Sequence, residues 1–121
     1  MKIEHCDGAI DSRDQALSHF PDKKQATTAF AAMTARLNFL MAGRQLRNPD
    51  QMRKEGKLPN DKFFYAIKTP KRLRAYGWHS SLHKGTFFVS HYAFKKGEKL
   101  DQSDTTKVIS NWWIYEKENR R

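Results

Sequence analysis

Arginine, histidine and lysine side chains that could act on a phosphate ester lie in the middle of this 121-residue sequence. Arg72 and Arg74 stand in RLRAYGW, and His91 precedes Lys95 and Lys96 in HYAFKKGEKL. Guanidinium and ammonium groups stabilise the negative charge of a pentavalent phosphorane, and an imidazole transfers protons near neutral pH. These residue types permit one reaction that needs no metal, the attack of an RNA 2′-hydroxyl on its own adjacent phosphate.

Period-two alternation sorts the side chains of each strand-like run by the face to which they point. In RLRAYGW, Arg72, Arg74, Tyr76 and Trp78 share one face. Aromatic rings that stack on bases and guanidiniums that bind phosphates make such a row suitable for single-stranded nucleic acid. A sheet surface with solvated arginines and half-buried aromatics explains the same row equally well.

The run TFFVSHYAFKK alternates in the same way and predicts where its histidine points. Apolar neighbours on that face favour a structural role for His91, whereas the nearby lysine favours proton transfer. Both interpretations of His91 fit the sequence. The first predicted face holds Phe87, Val89, His91, Ala93 and Lys95, and the second holds Phe88, Ser90, Tyr92, Phe94 and Lys96.

Residues 44–100 carry the whole net positive charge of the chain. They hold fourteen Lys and Arg against four Asp and Glu, a difference equal to the formal net charge of +10. Cations confined to one part of a small protein favour binding of a polyanion, because neutralised phosphates release counterions. A solvated surface that keeps the protein soluble is the alternative. Besides Tyr76 and Trp78, the residues expected to bind nucleic acid are Arg53, Lys54, Lys57, Lys68, Lys71, Tyr92 and Lys99.

Other kinds of site are not indicated by the sequence. The single cysteine, Cys6, allows no intrachain disulfide and cannot complete a zinc ligand set, and His79 and His83 flank a predicted Ser-Ser turn. We therefore expect no metal and no cofactor.

The start MKIEHCDGAIDSRD carries acids where a signal peptide has an apolar core, and no run of about 18 apolar residues occurs. These features favour a cytoplasmic protein without a membrane span.

Two helices are predicted in the N-terminal third. Ser12 and Gln15 have the spacing of a capping box, which predicts a short helix that ends near His19. Pro21 suits the first turn of a second helix, and Gly43 ends it. The apolar face predicted for the second helix consists of Ala26, Phe30, Met33, Leu37, Leu40 and Met41.

Strand signals follow a polar segment. Residues 44–61 are interrupted by proline and glycine, so they predict a loop with at most one helical turn. The runs 62–68, 72–78 and 86–94 are rich in aromatic and β-branched residues and predict three antiparallel strands. The N-terminal MKIEHC is a candidate for an additional edge strand.

The last predicted helix begins near Asp101 or Ser103, with Asp104 favourable in its first turn. Its predicted apolar stripe consists of Thr105, Val108, Ile109, Trp112 and Trp113. The order of elements predicts an α+β fold with residues 1–121 as a single domain. Its small antiparallel sheet of three to five strands would carry two N-terminal helices and a C-terminal helix. We expect the helices to cover one face of the sheet and leave the other face free for function.

The C-terminal half of the chain resembles a known protein superfamily. An arginine-bearing strand, a hydrophobic strand that ends in Phe-Lys-Lys, and the helix DTTKVISNWWIYEKE follow one another. This order resembles the C-terminal half of the RelE/ParE/HigB superfamily of bacterial toxins, with the specific motifs in residues 62–115. The resemblance implies a RelE-like toxin neutralised by a cognate antitoxin, which we expect to be a helix-turn-helix protein. In the RelE and HigB branches it implies a metal-independent endoribonuclease that cleaves mRNA on the ribosome.

The resemblance also implies roles for individual residues. Basic residues on the strands and in the turn that follows would bind and polarise the RNA, and the matching positions are Arg72, Arg74, Lys95, Lys96 and Lys99. We expect the first four of these, together with His91, to be catalytic. The turn in this chain lacks the proline common in the superfamily, and the final helix lacks a terminal catalytic His or Tyr. The general acid is therefore open among His91, Tyr92 and Tyr115.

Two other functions fit the same sequence. In the ParE-like branch, the same scaffold would block DNA gyrase by protein contact and cut nothing. A non-enzymatic RNA- or DNA-binding module would use its basic residues for affinity alone.

Overall fold

The computed structural model describes residues 1–97 and 99–117, and within these ranges five strands form one sheet. Their spatial order is β1-β5-β4-β3-β2. Neighbouring strands run antiparallel except β1, which pairs in parallel with β5. The predicted α+β class is therefore confirmed, although the sheet is mixed. The strands are β1 (Lys2–His5), β2 (Met52–Lys57), β3 (Phe63–Lys68), β4 (Leu73–His79) and β5 (Thr86–Phe94).

The strand β2 lies in the segment that the sequence patterns predicted as a loop, so that prediction is wrong over Met52–Lys57. The sequence of β2, MRKEGK, has no aromatic or β-branched residue. As an edge strand it pairs on one side, with β3, around a bulge between Lys54 and Gly56. Natural edge strands are rich in charge because charged side chains prevent pairing with other chains, and this removes the usual strand signal.

The two N-terminal helices are α1 (Ala9–Ser18) and α2 (Lys23–Met41). The predicted capping box is wrong, because Ser12 lies inside α1 and donates to the Ala9 carbonyl at 2.6 Å. Asp22 caps α2 instead, accepting from the Gln25 N–H at 2.8 Å. The chain leaves α2 at Gly43, whose φ of 81° suits glycine. The buried residues of α2 are Ala29, Met33 and Leu40, whereas Phe30 and Met41 of the predicted apolar face are exposed.

The C-terminal helix α3 (Gln102–Trp112) begins at the Asp101 cap and continues as a π-helical turn over Trp113–Lys117. The Asp101 side chain accepts from the Ser103 N–H at 3.1 Å. None of the helices in the described ranges is both long and apolar enough to cross a membrane.

Helices cover both faces of the sheet, so the expectation of one free face is wrong. We call the side under α1 and α2 the first face and the side under α3 the second face. Buried strand residues of the first face are Ile67, Leu73, Ala75, Phe87, Val89 and Tyr92. Those of the second face are Phe64, Ala66, Tyr76, Trp78 and Phe88, which pack with Val108, Trp112 and Tyr115. A ligand can therefore bind at the ends and edges of the sheet but not on an open face.

A bulge in β5 changes which side chains share a face. Tyr76 pairs with His91 but the next residue of β4, Gly77, pairs with Val89, so β5 carries one extra residue at this point. The predicted alternation is therefore wrong beyond the bulge. His91 stacks on Tyr76 and Lys95 contacts Asp104, both on the second face. Tyr92 instead packs on the first face with Val89.

The substitution Gly77→Ala tests the close contact between β4 and β5. A Cβ atom at Gly77 would lie 2.1 Å from the Phe88 carbonyl oxygen and 2.6 Å from the Phe87 ring. Because backbone cannot move away cheaply, we expect the free energy of unfolding to fall by about 3 kcal/mol in urea denaturation. Gly97→Ala is the matched control, since a Cβ atom there meets nothing within 4 Å. Equal stability of the two variants would contradict this pairing of β4 with β5.

Candidate nucleic-acid interface

A basic groove of about 870 Å³ lies at the end of the sheet where β3 and β5 finish and β4 begins. The connection between α1 and α2 forms its other wall. We call it the end groove. Its cationic lining residues are Lys71, Arg72, Arg74, Lys95 and Lys96, and its other lining residues are His19, Phe20, Pro21, Gln25, Pro70, Phe94 and Gly97. All four basic residues predicted as catalytic therefore line one groove.

Lys71, Arg72 and Lys96 are the exposed cations at the mouth of the end groove. The Lys95 N–H donates to the Arg72 carbonyl at 2.8 Å and continues the β4–β5 ladder past Phe94. The Arg72 guanidinium also contacts the exit of β5, where its Nη1 donates to the Lys96 carbonyl at 2.8 Å. The guanidinium is thus held in place, and its remaining N–H groups can be offered to an anion.

Arg74 supports the wall of the end groove. It is 9% exposed, and its Nη1 donates to the Thr69 and Lys71 carbonyls at 3.4 and 3.5 Å. Thr69 fixes the same turn, because its hydroxyl donates to the Lys71 carbonyl at 2.7 Å. Arg74 therefore shapes the β3–β4 connection and adds positive charge behind it.

Lys95 is held by two carboxylates of the α3 N-terminus. Its ammonium contacts Asp104 and lies 4.0 Å from Asp101, and it stands 5.9 Å from the centre of the Tyr76 ring. Burial by itself would raise the pKa of Asp104, but hydrogen bonds from His91 and Lys95 and the charges of these groups lower it. The charge of Lys95 is thus compensated inside the protein, and the lysine anchors α3 more than it faces phosphate.

His91 belongs to a buried polar network and not to an accessible site. Its Nε2 lies 2.8 Å from Asp104 Oδ1, and its Nδ1 lies 2.9 Å from Ser90 Oγ. Asn111 of α3 donates to the same serine oxygen at 2.9 Å. Ser90, His91 and Asp104 have the residue types of a hydrolytic triad, but they are 1%, 4% and 3% exposed. A substrate cannot reach them, so the prediction of His91 as a catalyst is corrected to a structural role.

The predicted base-stacking aromatics are also buried. Tyr76 and Trp78 are 3% and 0% exposed beneath α3, and Tyr76 stacks on His91 with ring centroids 5.1 Å apart. Burial, followed by the charge of Asp104, raises the pKa of Tyr76 above its ordinary range. Tyr92 lies on the first face, where its hydroxyl is 2.7 Å from His5 Nε2. The prediction that these three rings bind bases is therefore wrong for this structure.

The candidate general acids other than His91 lie outside the end groove. Burial raises the pKa of Tyr92 to about 12. The Tyr115 hydroxyl accepts from the Asp7 N–H at 2.8 Å, and its ring packs against Phe88. Both tyrosines therefore join elements of the fold.

The remaining predicted binding residues are spread over the molecule. Lys68 pairs with Arg74 across β3 and β4, and Arg53 on β2 donates to Glu55 at 2.9 Å. Lys54 lies over the Phe63 ring at 4.6 Å and lines a separate cavity of about 770 Å³ beneath the end of α2. Lys57 is exposed at the end of β2, and Lys99 is exposed in the connection to α3. The structure thus places Lys71 with the catalytic candidates and does not unite the others with them.

Sequence reasoning missed His19, which lines the end groove from the α1–α2 connection. Its ring stacks on Phe94 of β5 with centroids 5.8 Å apart. The contact joins residues far apart in the chain, so no local pattern at His19 reveals it. The pairing of a helix-end histidine with a groove of cations emerges only from the tertiary fold.

Comparisons with known proteins identify no match for the chain. No protein-family model matches it, and neither a curated protein nor a solved structure does so at a significant level. Within residues 1–97 and 99–117, no group of three or more His, Cys, Asp and Glu side chains is arranged to hold a metal ion. The proposed function therefore rests on the geometry of the end groove.

Asp104→Asn tests whether this carboxylate fixes α3. We expect the free energy of unfolding to fall by about 3 kcal/mol at neutral pH, because Lys95 loses the partner of a buried ion pair. The pKa of Asp104 is lower in the folded chain than its ordinary value of 3.8, so the wild-type advantage is complete above that value. The advantage shrinks as pH falls through the folded-state pKa.

Urea denaturation at a series of acidic pH values measures this difference. Asp50→Asn is the control, because Asp50 is an exposed acid in the segment before β2. A wild-type advantage over Asp104→Asn that stays constant through the acid range would contradict the proposed role of the carboxylate.

Proposed function

We propose that the protein is a cytoplasmic, metal-independent endoribonuclease that cleaves mRNA on the ribosome as the toxin of a toxin–antitoxin pair. The observation that carries this proposal is the convergence of five cationic residues on one groove at the end of the sheet. The α+β architecture supports it, because an arginine-bearing strand, a strand ending in lysines and a final helix adjoin in the order of the RelE/HigB-like resemblance.

The charge of the end groove suits a ribose-phosphate chain. Lys71, Arg72 and Lys96 are exposed at its mouth, and Arg74 is buried in its wall. Among the described residues that line the groove, none is acidic, although Lys95 reaches out to Asp104 and Asp101. A row of cations with few acids beside it favours an anion and makes its binding salt-dependent.

The proposed chemistry is attack of the 2′-hydroxyl on the adjacent phosphorus. Arg72 offers a planar, pre-positioned guanidinium to the non-bridging oxygens, where negative charge grows in the transition state. Lys96 binds the phosphate as a mobile point charge. Lys95 and Arg74 keep the groove in shape, which revises the direct roles expected for them.

The proposed biological partner is an antitoxin protein of the helix-turn-helix class. Such a partner would mask the end groove until it is degraded or displaced. A small neighbouring gene that encodes a helix-turn-helix protein would support this part of the proposal, and co-purification of the two proteins would test it directly.

Arg72→Ala tests the proposed function. We expect the rate of cleavage of ribosome-bound mRNA to fall by about 10²-fold, because one stabiliser of the transition-state charge is lost. Primer extension on mRNA from ribosomes treated with purified protein measures the cut.

Lys96→Ala should weaken RNA binding. It should also reduce, by about one, the slope of the logarithm of the binding constant against the logarithm of the salt concentration.

Lys84→Ala is the matched control for both variants. Lys84 is an exposed lysine in the β4–β5 connection, at the opposite end of β4 from the end groove, so cleavage and binding should be unchanged. Uncut mRNA with a DNA-damage response on expression would favour the gyrase-inhibitor alternative. Uncut mRNA, no growth defect and salt-sensitive RNA binding would favour the non-enzymatic module.

A further inference from the structure

His19 is the histidine that reaches the end groove. It follows α1 directly, is exposed, and lines the groove together with Arg72 and Lys96. We propose that His19 is the general base that removes the proton from the RNA 2′-hydroxyl. This inference rests on the proposed function, since it names the catalytic residue that RNA cleavage at this groove requires.

The hydrogen bonding of His19 fixes which nitrogen can act. Its Nδ1 lies 2.8 Å from the Gln15 carbonyl oxygen, which can only accept, so Nδ1 carries the proton. In the neutral ring Nε2 is then the nitrogen with a lone pair. The backbone holds the same junction, because the His19 N–H donates to the Ala16 carbonyl at 3.1 Å. The imidazole is thus oriented by α1 on one edge and available to the groove on the other.

Aromatic packing holds the ring in the end groove. His19 stacks on Phe94 with an interplanar angle of 27°. Phe20 packs edge-on against the Phe94 ring, with centroids 4.9 Å apart. Phe94 precedes Lys95 and Lys96 in the chain and pairs with Leu73, which follows Arg72. The histidine is therefore fixed against the strand residues that lead to the proposed phosphate-binding cations.

Other candidates for the base are excluded by their positions. His91 has both ring nitrogens occupied in a buried network, and Tyr92 and Tyr115 make contacts away from the groove. The charged side chains that line the groove are cations, and neither a guanidinium nor an ammonium group has a lone pair to accept a proton. Among the described residues of the groove, His19 is the imidazole that can present a nitrogen lone pair, at Nε2.

The proposed reaction needs no reagent other than water. The 2′-oxygen bonds to phosphorus as its proton passes to His19 Nε2, and the bond from phosphorus to the 5′-oxygen breaks. The departing oxygen takes a proton from solvent, and the imidazolium returns its proton to solvent. The products are a 2′,3′-cyclic phosphate and a 5′-hydroxyl.

The substitution His19→Asn separates this role from a structural one. The asparagine amide can keep a donor near the position of Nδ1, toward the Gln15 carbonyl, but it has no basic nitrogen in place of Nε2. We expect single-turnover cleavage of ribosome-bound mRNA to fall by about 10²- to 10³-fold with unchanged RNA affinity. His19→Ala should show the same loss and regain much of its rate when imidazole is added to the reaction.

The outcomes distinguish the base from the proposed function. Cleavage by His19→Asn at the wild-type rate, or no rescue of His19→Ala by imidazole, would overturn the assignment of His19 while leaving RNA cleavage standing. Wild-type protein that cuts no mRNA would overturn both. An mRNA with a 2′-deoxy nucleotide at the cut site should resist the wild-type protein, and its cleavage would also contradict the proposed step.

Discussion

The contact of Asp104 with His91 and Lys95 is the polar link that holds α3 on the second face of the sheet. One carboxylate on the first turn of α3 accepts from a histidine of β5 and from the lysine just beyond that strand. Burying an acid is costly unless its oxygens are paired, and in this contact each oxygen has a positive or donating partner. The contact therefore holds the first turn of α3 on the second face, and Val108 and Trp112 pack the rest of the helix there.

Once α3 is fixed, the position of the ligand site follows. The helix covers Tyr76 and Trp78, and the N-terminal helices cover the opposite face, so neither face can present a track for bases. Cations that point out of the end of the sheet stay accessible, as Arg72 and Lys96 do. The α+β architecture thus leads to a groove at the strand ends, where loops from β3–β4 and α1–α2 meet.

Local patterns predicted the parts of this fold that depend on local physics. The runs that became β3, β4 and β5 are apolar and aromatic, so their burial was visible in the sequence. The strand β2 was not visible, because an edge strand needs charge, and the bulge at Ser90 and His91 was not visible, because one extra residue leaves no compositional mark. The basic residues at the β4 start and β5 exit were found, but Asp104 suggested only a favourable charge at a helix start. Its partner across the fold decides its role.

The same network explains why residues of one charge have different roles in this site. Lys95 is compensated by carboxylates, and Arg74 donates to loop carbonyls, so both stabilise the wall of the end groove. The Arg72 guanidinium keeps one bond to the Lys96 carbonyl and loses little conformational entropy when an anion arrives. Binding then draws on a group that is ordered before the ligand is present. Positive charge at the groove mouth is therefore separated from the charge that holds the fold, and substitutions at the mouth can alter function while the buried network preserves stability.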